Sequence, residues 1–411
     1  MSPAAEPAGR WAQLAILAAC LLLSLVPWFS AASVAPLIAA EWQISRLETA
    51  FLTVAVQLGF VVGALFIAFT GAADVIPARR LIAGGALLAA VANAAFALLA
   101  VDLATALPLR ALSGAGIAAV YPVAMKVLAG WFRGGRGLAV GILIGAITLG
   151  SATPHLLQAG GAVAGLDWRL VVLAATLPCL VAVALAWIGV REGPMTTPAA
   201  RLSLRMARTA LGERSVQLAN IGYLGHMWEL YAMWTWVPAF IAASLAVSSD
   251  VNAESASGIA FLVVAAGAIG CVAAGALADR LGRTTLTIAA MAMSGTSAVA
   301  AGLLFGAPTI VVLVVLVIWG ITVVADSAQF STAVSELAPP GTAGSALALQ
   351  TAAGFLLTGI TIVGVGLLDP TDRDSWTIAF AVLALGPLVG IGAMLRLRRR
   401  PDAIRMASGR R

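Results

Sequence analysis

The chain has 411 residues, of which 61% are hydrophobic and 10% charged, and its formal net charge is +6. A mean hydropathy of +1.01 excludes a soluble globular domain and predicts a protein that crosses a membrane many times. The basic balance does not indicate nucleic-acid binding, because the positive residues fall mainly in loops between apolar segments.

Twelve apolar segments follow one another along the chain, and most reach the roughly 20 residues that a spanning helix needs. They lie at 12–38, 49–71, 80–100, 103–130, 136–162, 168–190, 216–244, 256–278, 285–306, 308–335, 343–368 and 375–396. The first is too long for a cleaved signal peptide and is followed by eleven more. The sequence therefore predicts an all-α membrane protein with twelve transmembrane helices.

The lysines and arginines lie mainly on one side of these segments. With the N-terminus placed in the cytoplasm, nineteen fall in cytoplasmic loops and only Arg46, Arg169 and Arg373 fall on the other side. Cytoplasmic loops carry an excess of such residues. We therefore expect a multi-pass cell-membrane protein with both termini in the cytoplasm, and a bacterial inner membrane as its location.

Few side chains inside the first six segments suit a binding cavity. Polar groups in hydrocarbon usually face a partner or a cavity. The candidates are Trp28, Gln57, Arg110, Tyr121 and His155. Arg110 and Tyr121 share a helical face, because eleven residues make nearly three turns. Arg110 either binds substrate or clamps a neighbouring helix, and both interpretations stay open.

Residues 191–214 are the only long polar stretch between apolar segments. They predict a cytoplasmic linker that divides an N-terminal six-helix bundle, 1–190, from a C-terminal bundle, 215–396, with a basic cytoplasmic tail at 397–411. Arg201, Arg205 and Arg208 share one face of the linker, which favours a short helix lying on the inner membrane surface.

The two halves repeat one loop motif. GALADRLGR at 275–283 is the intact copy, and TGAADVIPARR at 70–80 is an eroded one. Asp74 and Asp279 hold the same motif position, 205 residues apart (279 − 74). WFRGGRGLAVGI at 131–142 and LAPPGTAGSALAL at 337–349 correspond with an offset of 207 (344 − 137). Paired repeats of this kind are typical of transporters that rock around a central site.

The densest group of polar and aromatic residues lies in the seventh segment. Tyr223, His226, Glu229 and Trp236 fall along one stripe. A carboxylate in a low dielectric favours its neutral form, so Glu229 is a candidate to bind a proton, to pair with Arg110 or a cationic substrate, or to form a fixed salt bridge. Further inward-facing candidates are Asp326 and Gln329 in the tenth segment and Thr358 in the eleventh.

Together these features resemble the major facilitator superfamily. The twelve spans, the basic central loop, the GxLADRxGR loops and RALSGAG at 110–116 carry the resemblance. The segment from Tyr121 to Pro154 is most similar to cyanate/nitrate-type uptake carriers. Two features depart from the family's patterns. The second and eighth segments lack the arginines of nitrate carriers, and Leu149 and Thr153 replace the glycines of the antiporter motif before Pro154.

The resemblance implies two pseudo-symmetric six-helix bundles in a monomer, with substrate bound between them at the midplane. It also implies a gating role for the loop residues Asp74, Asp279, Arg280 and Arg283. Each aspartate should meet the N-terminus of a helix from the opposite half, where negative charge is favoured by roughly 0.3–1 kcal/mol.

The leading expectation is a secondary transporter that takes up a small polar solute, an anion or small organic acid, with or without a coupled proton (symport). One alternative is proton-coupled export of amphipathic or cationic compounds, and another is a non-transporting membrane receptor. No enzyme activity, cofactor, metal or nucleic acid is expected; the expected partners are a small-molecule substrate and the lipid bilayer.

The charge asymmetry generates a labelling test. In intact cells, an impermeant maleimide should label Ser249→Cys and leave Ser203→Cys unlabelled, because Ser203 lies in the predicted cytoplasmic linker. Both variants should react once the membrane is opened, and the parent chain serves as the control. Labelling of Ser203→Cys alone in intact cells would show that the chain has the opposite orientation.

Overall fold

A computed structural model describes residues 6–196, 202–248, 251 and 255–410, so Arg201 and Ser249 lie outside the described residues. The described part is helical and contains twelve helices long and apolar enough to cross a membrane. We number them span 1 to span 12. They are Arg10–Ser33, Arg46–Thr70, Ala78–Leu99, Leu103–Ala129, Arg136–Val163, Trp168–Gly189, Arg214–Ser248, Ala256–Leu281, Arg283–Leu303, Thr309–Leu337, Ala343–Leu368 and Arg373–Arg398.

These twelve spans confirm the predicted number and order of helices. Because the number of spans is even, span 1 begins and span 12 ends on the same side of the bundle. We call this side the termini face and the opposite side the far face. Span 7 extends beyond its predicted ends at both sides, from Arg214 to Ser248. The extension replaces loop residues with helix but moves no predicted site residue.

Three of the spans that begin at the far face start with a capping box, whereas spans 8 and 10 have no side-chain cap. Ser45 and Glu48 form a capping box at span 2, Asp102 and Thr105 at span 4, and Asp372 and Ser375 at span 12. In each box a side-chain oxygen accepts a hydrogen bond from an otherwise unpaired backbone N–H. These caps fix the start of those three spans at the polar boundary.

An ion pair fastens the far face of the first half. Arg169 Nη2 lies 2.7 Å from Glu41 Oε1, and Trp168 Nε1 donates a hydrogen bond to Glu41 Oε2 at 2.6 Å. These donors hold the pKa of Glu41 at about 2, well below its usual range. The contact joins the segment after span 1 to the start of span 6.

Four spans are interrupted, and one of them is span 6, which divides into Trp168–Ala174 and Thr176–Gly189. Span 1 contains a 3-10 stretch at Val26–Phe29. Span 4 divides into Leu103–Ala118 and Tyr121–Ala129, and span 10 into Thr309–Val323 and Ser327–Leu337. The second pieces of spans 4 and 10 begin 206 residues apart (327 − 121), in agreement with the motif offset. Interrupted helices are tolerated at membrane depth where they line a cavity or pack against protein.

Small residues let the two halves approach closely on the termini face. A Cβ added to Gly141 of span 5 would lie 2.5 Å from the carbonyl oxygen of Cys271 in span 8, and one added to Gly137 would lie 2.6 Å from that of Gly275. Glycine is therefore required for this approach, as is common where helices pack in lipid. On the far face, Arg46 Nη1 donates to the Pro370 carbonyl at 2.9 Å. The halves thus touch at both faces.

The linker also joins the two halves. Leu202 N donates to the Ala68 carbonyl of span 2 at 2.9 Å, and Ser203 N donates to Ser345 Oγ of span 11 at 3.1 Å. The helix that follows, Leu204–Gly212, begins after Ser203. Its Arg205 and Arg208 are exposed.

The packing of span 2 against span 4 generates a stability test. A Cβ at Gly59 would lie 1.8 Å from the Ala111 carbonyl oxygen, so Gly59→Ala should cost about 1–3 kcal/mol through overpacking. The control is Gly84→Ala, where the Cβ meets nothing within 4 Å. Thermal unfolding of the purified protein should show a lower Tm for Gly59→Ala only. Equal Tm values for the two variants would contradict this packing.

Candidate substrate site

A cavity of about 60 Å³ lies between the two halves. Spans 1, 2, 4 and 5 contribute Leu25, Trp28, Phe60, Ile117, Tyr121, Ile144, Ile147 and Thr148; spans 7, 10 and 11 contribute Tyr223, His226, Met227, Leu230, Tyr231, Trp234, Val324, Ser327, Ser331, Thr351 and Phe355. Ligand pockets are usually 300–1,000 Å³. The halves must therefore move apart before an organic substrate can enter.

Aromatic rings from both halves meet at this cavity. The Phe60 and Phe355 ring centroids are 4.5 Å apart, and Trp28 lies 5.3 Å from Phe60 and 5.6 Å from Phe355. Tyr231 is 5.1 Å from Phe355, and Trp234 is 5.4 Å from Tyr231. Rings at such distances attract one another. We call these five residues the aromatic cluster; it joins spans 1 and 2 to spans 7 and 11.

The polar part of the cavity wall centres on His226. Its Nδ1 lies 2.8 Å from Asp326 Oδ1, and its Nε2 lies 2.7 Å from Ser327 Oγ. Asp326 and Ser327 flank the interruption of span 10, which brings both to the imidazole. Apart from this imidazole, neither carboxylate oxygen of Asp326 has a hydrogen-bond donor among the described residues. A buried charge without a partner is costly, so the imidazole is the group that stabilises this carboxylate.

Glu229 lies on another face of span 7. Its Oε2 accepts a hydrogen bond from Ser294 at 2.9 Å and its Oε1 one from Trp319 Nε1 at 2.7 Å. Seen along the helix, Met227 and Trp234 lie within about 40° of Tyr223, whereas Glu229 lies about 120° away. The predicted stripe winds around span 7, and Glu229 packs against spans 9 and 10 rather than the cavity.

Arg110 is a clamp on span 1 and does not line the cavity. Its Nη2 donates to the carbonyls of Pro27 at 2.9 Å and Trp28 at 2.7 Å, and its Nη1 donates to Ser30 and Asn93 at 3.1 Å each. The side chain is fully buried. The guanidinium has five donors in a fixed fork, and it links two carbonyls of the irregular stretch of span 1 to Asn93 of span 3.

The other predicted site residues divide into two groups. Trp28, Tyr121, Tyr223 and His226 line the cavity, whereas Gln57, His155, Trp236, Asp326, Gln329 and Thr358 lie outside its lining. Some of the second group have evident packing roles. Trp236 Nε1 donates to the Ile362 carbonyl at 3.0 Å, and Thr358 donates to the Phe355 carbonyl at 2.7 Å.

Sequence reasoning missed most of the aromatic cluster. Tyr231 and Trp234 lie eight and eleven residues after Tyr223, a helical spacing that places them near the same face. The position of Trp234 near the end of its apolar segment instead suggests an interfacial anchor. No sequence signal separates Phe60 or Phe355 from ordinary apolar packing residues in their spans.

The intact loop motif builds a polar network on the termini face. A Cβ at Gly137, the second residue of span 5, would lie 3.3 Å from Asp279 Oδ2. Arg283 Nε and Nη2 donate to the two oxygens of Glu336 at 2.8 and 2.7 Å, and Arg283 Nη1 donates to Gln329 Oε1 at 2.8 Å. Asp279 thus contacts a helix N-terminus of the opposite half.

The other motif residues are placed differently. Asp74 pairs with Lys126 of span 4, within its own half. Arg280 is exposed. The C-terminal 3-10 segment Pro401–Gly409 folds against the network, since Ala407 N donates to Glu336 Oε2 at 3.2 Å. The tail is therefore packed against the second half.

Residues 17–362 match the Major Facilitator Superfamily. This match covers most of the chain, which therefore belongs to that superfamily of membrane transporters. A curated relative, the MFS-type transporter pytF of Aspergillus terreus, is 29% identical over 173 residues, which are 42% of this chain and 56% of the relative. The match thus spans little more than half the length of that relative.

Solved structures show the same fold. The xylose transporter XylE from E. coli superposes with a TM-score of 0.72 at 15% identity, covering 95% of this chain and 98% of its own. A D-xylose-proton symporter gives 0.73 at 17% identity, covering 96% and 98%. These proteins share the architecture of two helical halves. Neither they nor the fungal relative is a cyanate or nitrate carrier by name, so that finer resemblance is not supported.

The Arg110 contacts generate a prediction. Arg110→Lys keeps the charge but loses the planar fork, and each lost hydrogen bond to a charged group is worth about 1.5–3 kcal/mol. The variant should unfold at a lower temperature while a ligand that stabilises the parent binds with unchanged affinity. Arg79→Lys, at an exposed position, is the control. Weaker ligand binding with an unchanged Tm would instead indicate that Arg110 binds the substrate.

Proposed function

We propose that this protein is a proton-coupled secondary transporter that moves a small organic solute through the central cavity by alternating access. The single observation that supports this most directly is the contact between His226 and Asp326 at the cavity wall. The pair can hold a proton in a site that faces the substrate. The D-xylose-proton symporter has the same fold, which agrees with coupled uptake but does not identify the solute.

The proposed coupling follows from the cost of burial. While the cavity is closed, an Asp326 carboxylate without a protonated neighbour would be a buried, uncompensated charge. The pair should therefore carry one proton in the closed state. When the cavity opens to water on one side, the cost of a charged Asp326 carboxylate falls, and the proton can be released. Tyr223, whose ring centroid is 6.3 Å from that of His226, lies beside the imidazole at the cavity wall.

The solute is proposed to be uncharged or weakly charged. In the described structure, no arginine, lysine or carboxylate belongs to the cavity lining. Uptake of a small anion was expected largely because of Arg110, and that guanidinium is occupied by span 1. The expectation of a small organic acid is retained only for acids that bind in their neutral form.

Export of an amphipathic or cationic compound is the second candidate. The aromatic cluster supports it, because a cation over an aromatic face gains about 0.5–2 kcal/mol. A thermal-shift screen of neutral aromatics, organic acids, amines and dyes distinguishes the candidates, since a bound ligand raises the Tm. A protein that binds one of these ligands but never transports it would instead be a receptor.

We propose that the inner gate lies on the termini face and that this face is cytoplasmic. The contact of Asp279 with the start of span 5 supports this, because a negative charge stabilises a helix N-terminus. Arg283 and Glu336 would hold the loop in place, with Arg280 free to meet the membrane surface. Asp74 would contribute less, because its pairing with Lys126 stays within one half. A monomer suffices, since both halves belong to one chain.

The assignment of the proton site is testable in vesicles with an imposed pH gradient, using the ligand that most raises the Tm in the screen. Asp326→Asn should exchange labelled for unlabelled ligand across the membrane but fail to accumulate it. Glu229→Gln is the matched control, because that carboxylate is hydrogen-bonded to Ser294 and Trp319 rather than paired with a cavity-lining side chain, and it should still accumulate ligand. The reverse pattern, with accumulation lost only in Glu229→Gln, would show that Glu229 rather than Asp326 is the proton site.

A further inference from the structure

Two tryptophans of the cavity wall have unused hydrogen-bond donors. The indole Nε1 of Trp28 and that of Trp234 have no acceptor in the described structure. Both side chains are buried, with 1% and 2% of their surface exposed. Leaving a buried donor unsatisfied costs about 1–3 kcal/mol. The two tryptophans come from different halves of the protein and line the same cavity.

Among the buried tryptophans of the spans, Trp168, Trp236 and Trp319 have an acceptor for Nε1, whereas Trp28, Trp234 and Trp376 have none. Trp228 Nε1 donates to the Val382 carbonyl, Trp236 Nε1 to the Ile362 carbonyl and Trp319 Nε1 to Glu229. Trp376, and Trp42 outside the spans, also have an unpartnered Nε1 but no place in the cavity lining. The orphan donors at the cavity are thus a feature that a ligand could explain.

We propose that the transported solute is a flat, uncharged aromatic compound carrying an oxygen acceptor, such as an aryl ketone, aldehyde or amide. The aromatic cluster supplies ring faces from both halves, and the indole N–H groups of Trp28 and Trp234 donate to the oxygen. This inference rests on the proposed function, whose solute it specifies.

The proposed chemical class of the solute follows from three properties of the cavity wall. Rings from spans 1, 2, 7 and 11 meet at 4.5–5.8 Å, and flat solutes stack on such surfaces. The unused groups of the two tryptophans are donors only, so the ligand must bring the acceptor. Among the described residues, the lining contains no arginine, lysine or carboxylate to balance an ionised solute, and burying an unbalanced charge is expensive.

Three probes of similar size test the inference on the unmodified protein. Acetophenone is flat and carries an acceptor, ethylbenzene is flat without one, and cyclohexyl methyl ketone carries one without an aromatic ring. Binding is measured by equilibrium dialysis against protein in lipid nanodiscs, with empty nanodiscs subtracting partition into lipid. Acetophenone should bind at least three-fold more tightly than either of the others. If water serves the two donors instead, acetophenone gains nothing over ethylbenzene and the inference fails.

Three tryptophan variants test which indole donors contribute to acetophenone binding. Trp28→Phe and Trp234→Phe keep a buried ring but lose the donor, so each should weaken acetophenone binding about three- to ten-fold. Ethylbenzene binding should not change. Trp376→Phe is the matched control, because it removes an orphan donor away from the cavity and should leave acetophenone affinity as in the parent. Equal loss in all three variants, or loss in none, would overturn the assignment.

The outcomes separate this inference from the proposed function. Proton-driven accumulation of a different ligand, with no binding of acetophenone, would refute only the solute class. Donor-dependent binding of acetophenone without any response to a pH gradient would refute only the proton coupling.

Discussion

Lipid hydrocarbon offers no hydrogen bonds, and this constraint explains the polar interior of the protein. Each polar group inside the spans must find its partner within the chain. Arg110 donates to two carbonyls at the interruption of span 1, and Glu229 is satisfied by Ser294 and Trp319. Asp326 has His226 beside it. The polar groups that stay unsatisfied are therefore informative, because those at the cavity wall mark where a proton or a solute would be bound.

The repeat explains why these groups meet at one place. Spans 4 and 10 are interrupted at positions 206 residues apart, so each half presents a broken helix to the interface between the halves. Tyr121 and Ser327 begin the second pieces and both line the cavity. Close glycine contacts on the termini face and the Arg46 contact on the far face hold the halves together around it. Such an arrangement can open on one side while the other stays closed.

The sequence predicted the all-helical fold and the twelve spans, because hydropathy depends only on local composition. It did not predict the partners of Arg110, since they lie on spans 1 and 3 and meet the guanidinium only when the helices pack. The error at Glu229 came from counting residues three and four apart along span 7, a stripe that drifts around the helix over several turns. Trp234 could not be separated from an interfacial anchor, because the depth of a tryptophan depends on where its helix crosses the membrane.

The central claim is that the halves move as two bodies around the cavity. Spin labels at Arg79→Cys and Ser335→Cys report the distance between the halves on the termini face, and labels at Val101→Cys and Thr371→Cys report it on the far face. All four positions are exposed, and the three native cysteines are buried. Electron–electron distance measurements across a pH series, with and without a stabilising ligand, should show one distance lengthening as the other shortens. Two distances that stay constant, or that change in the same direction, would contradict alternating access.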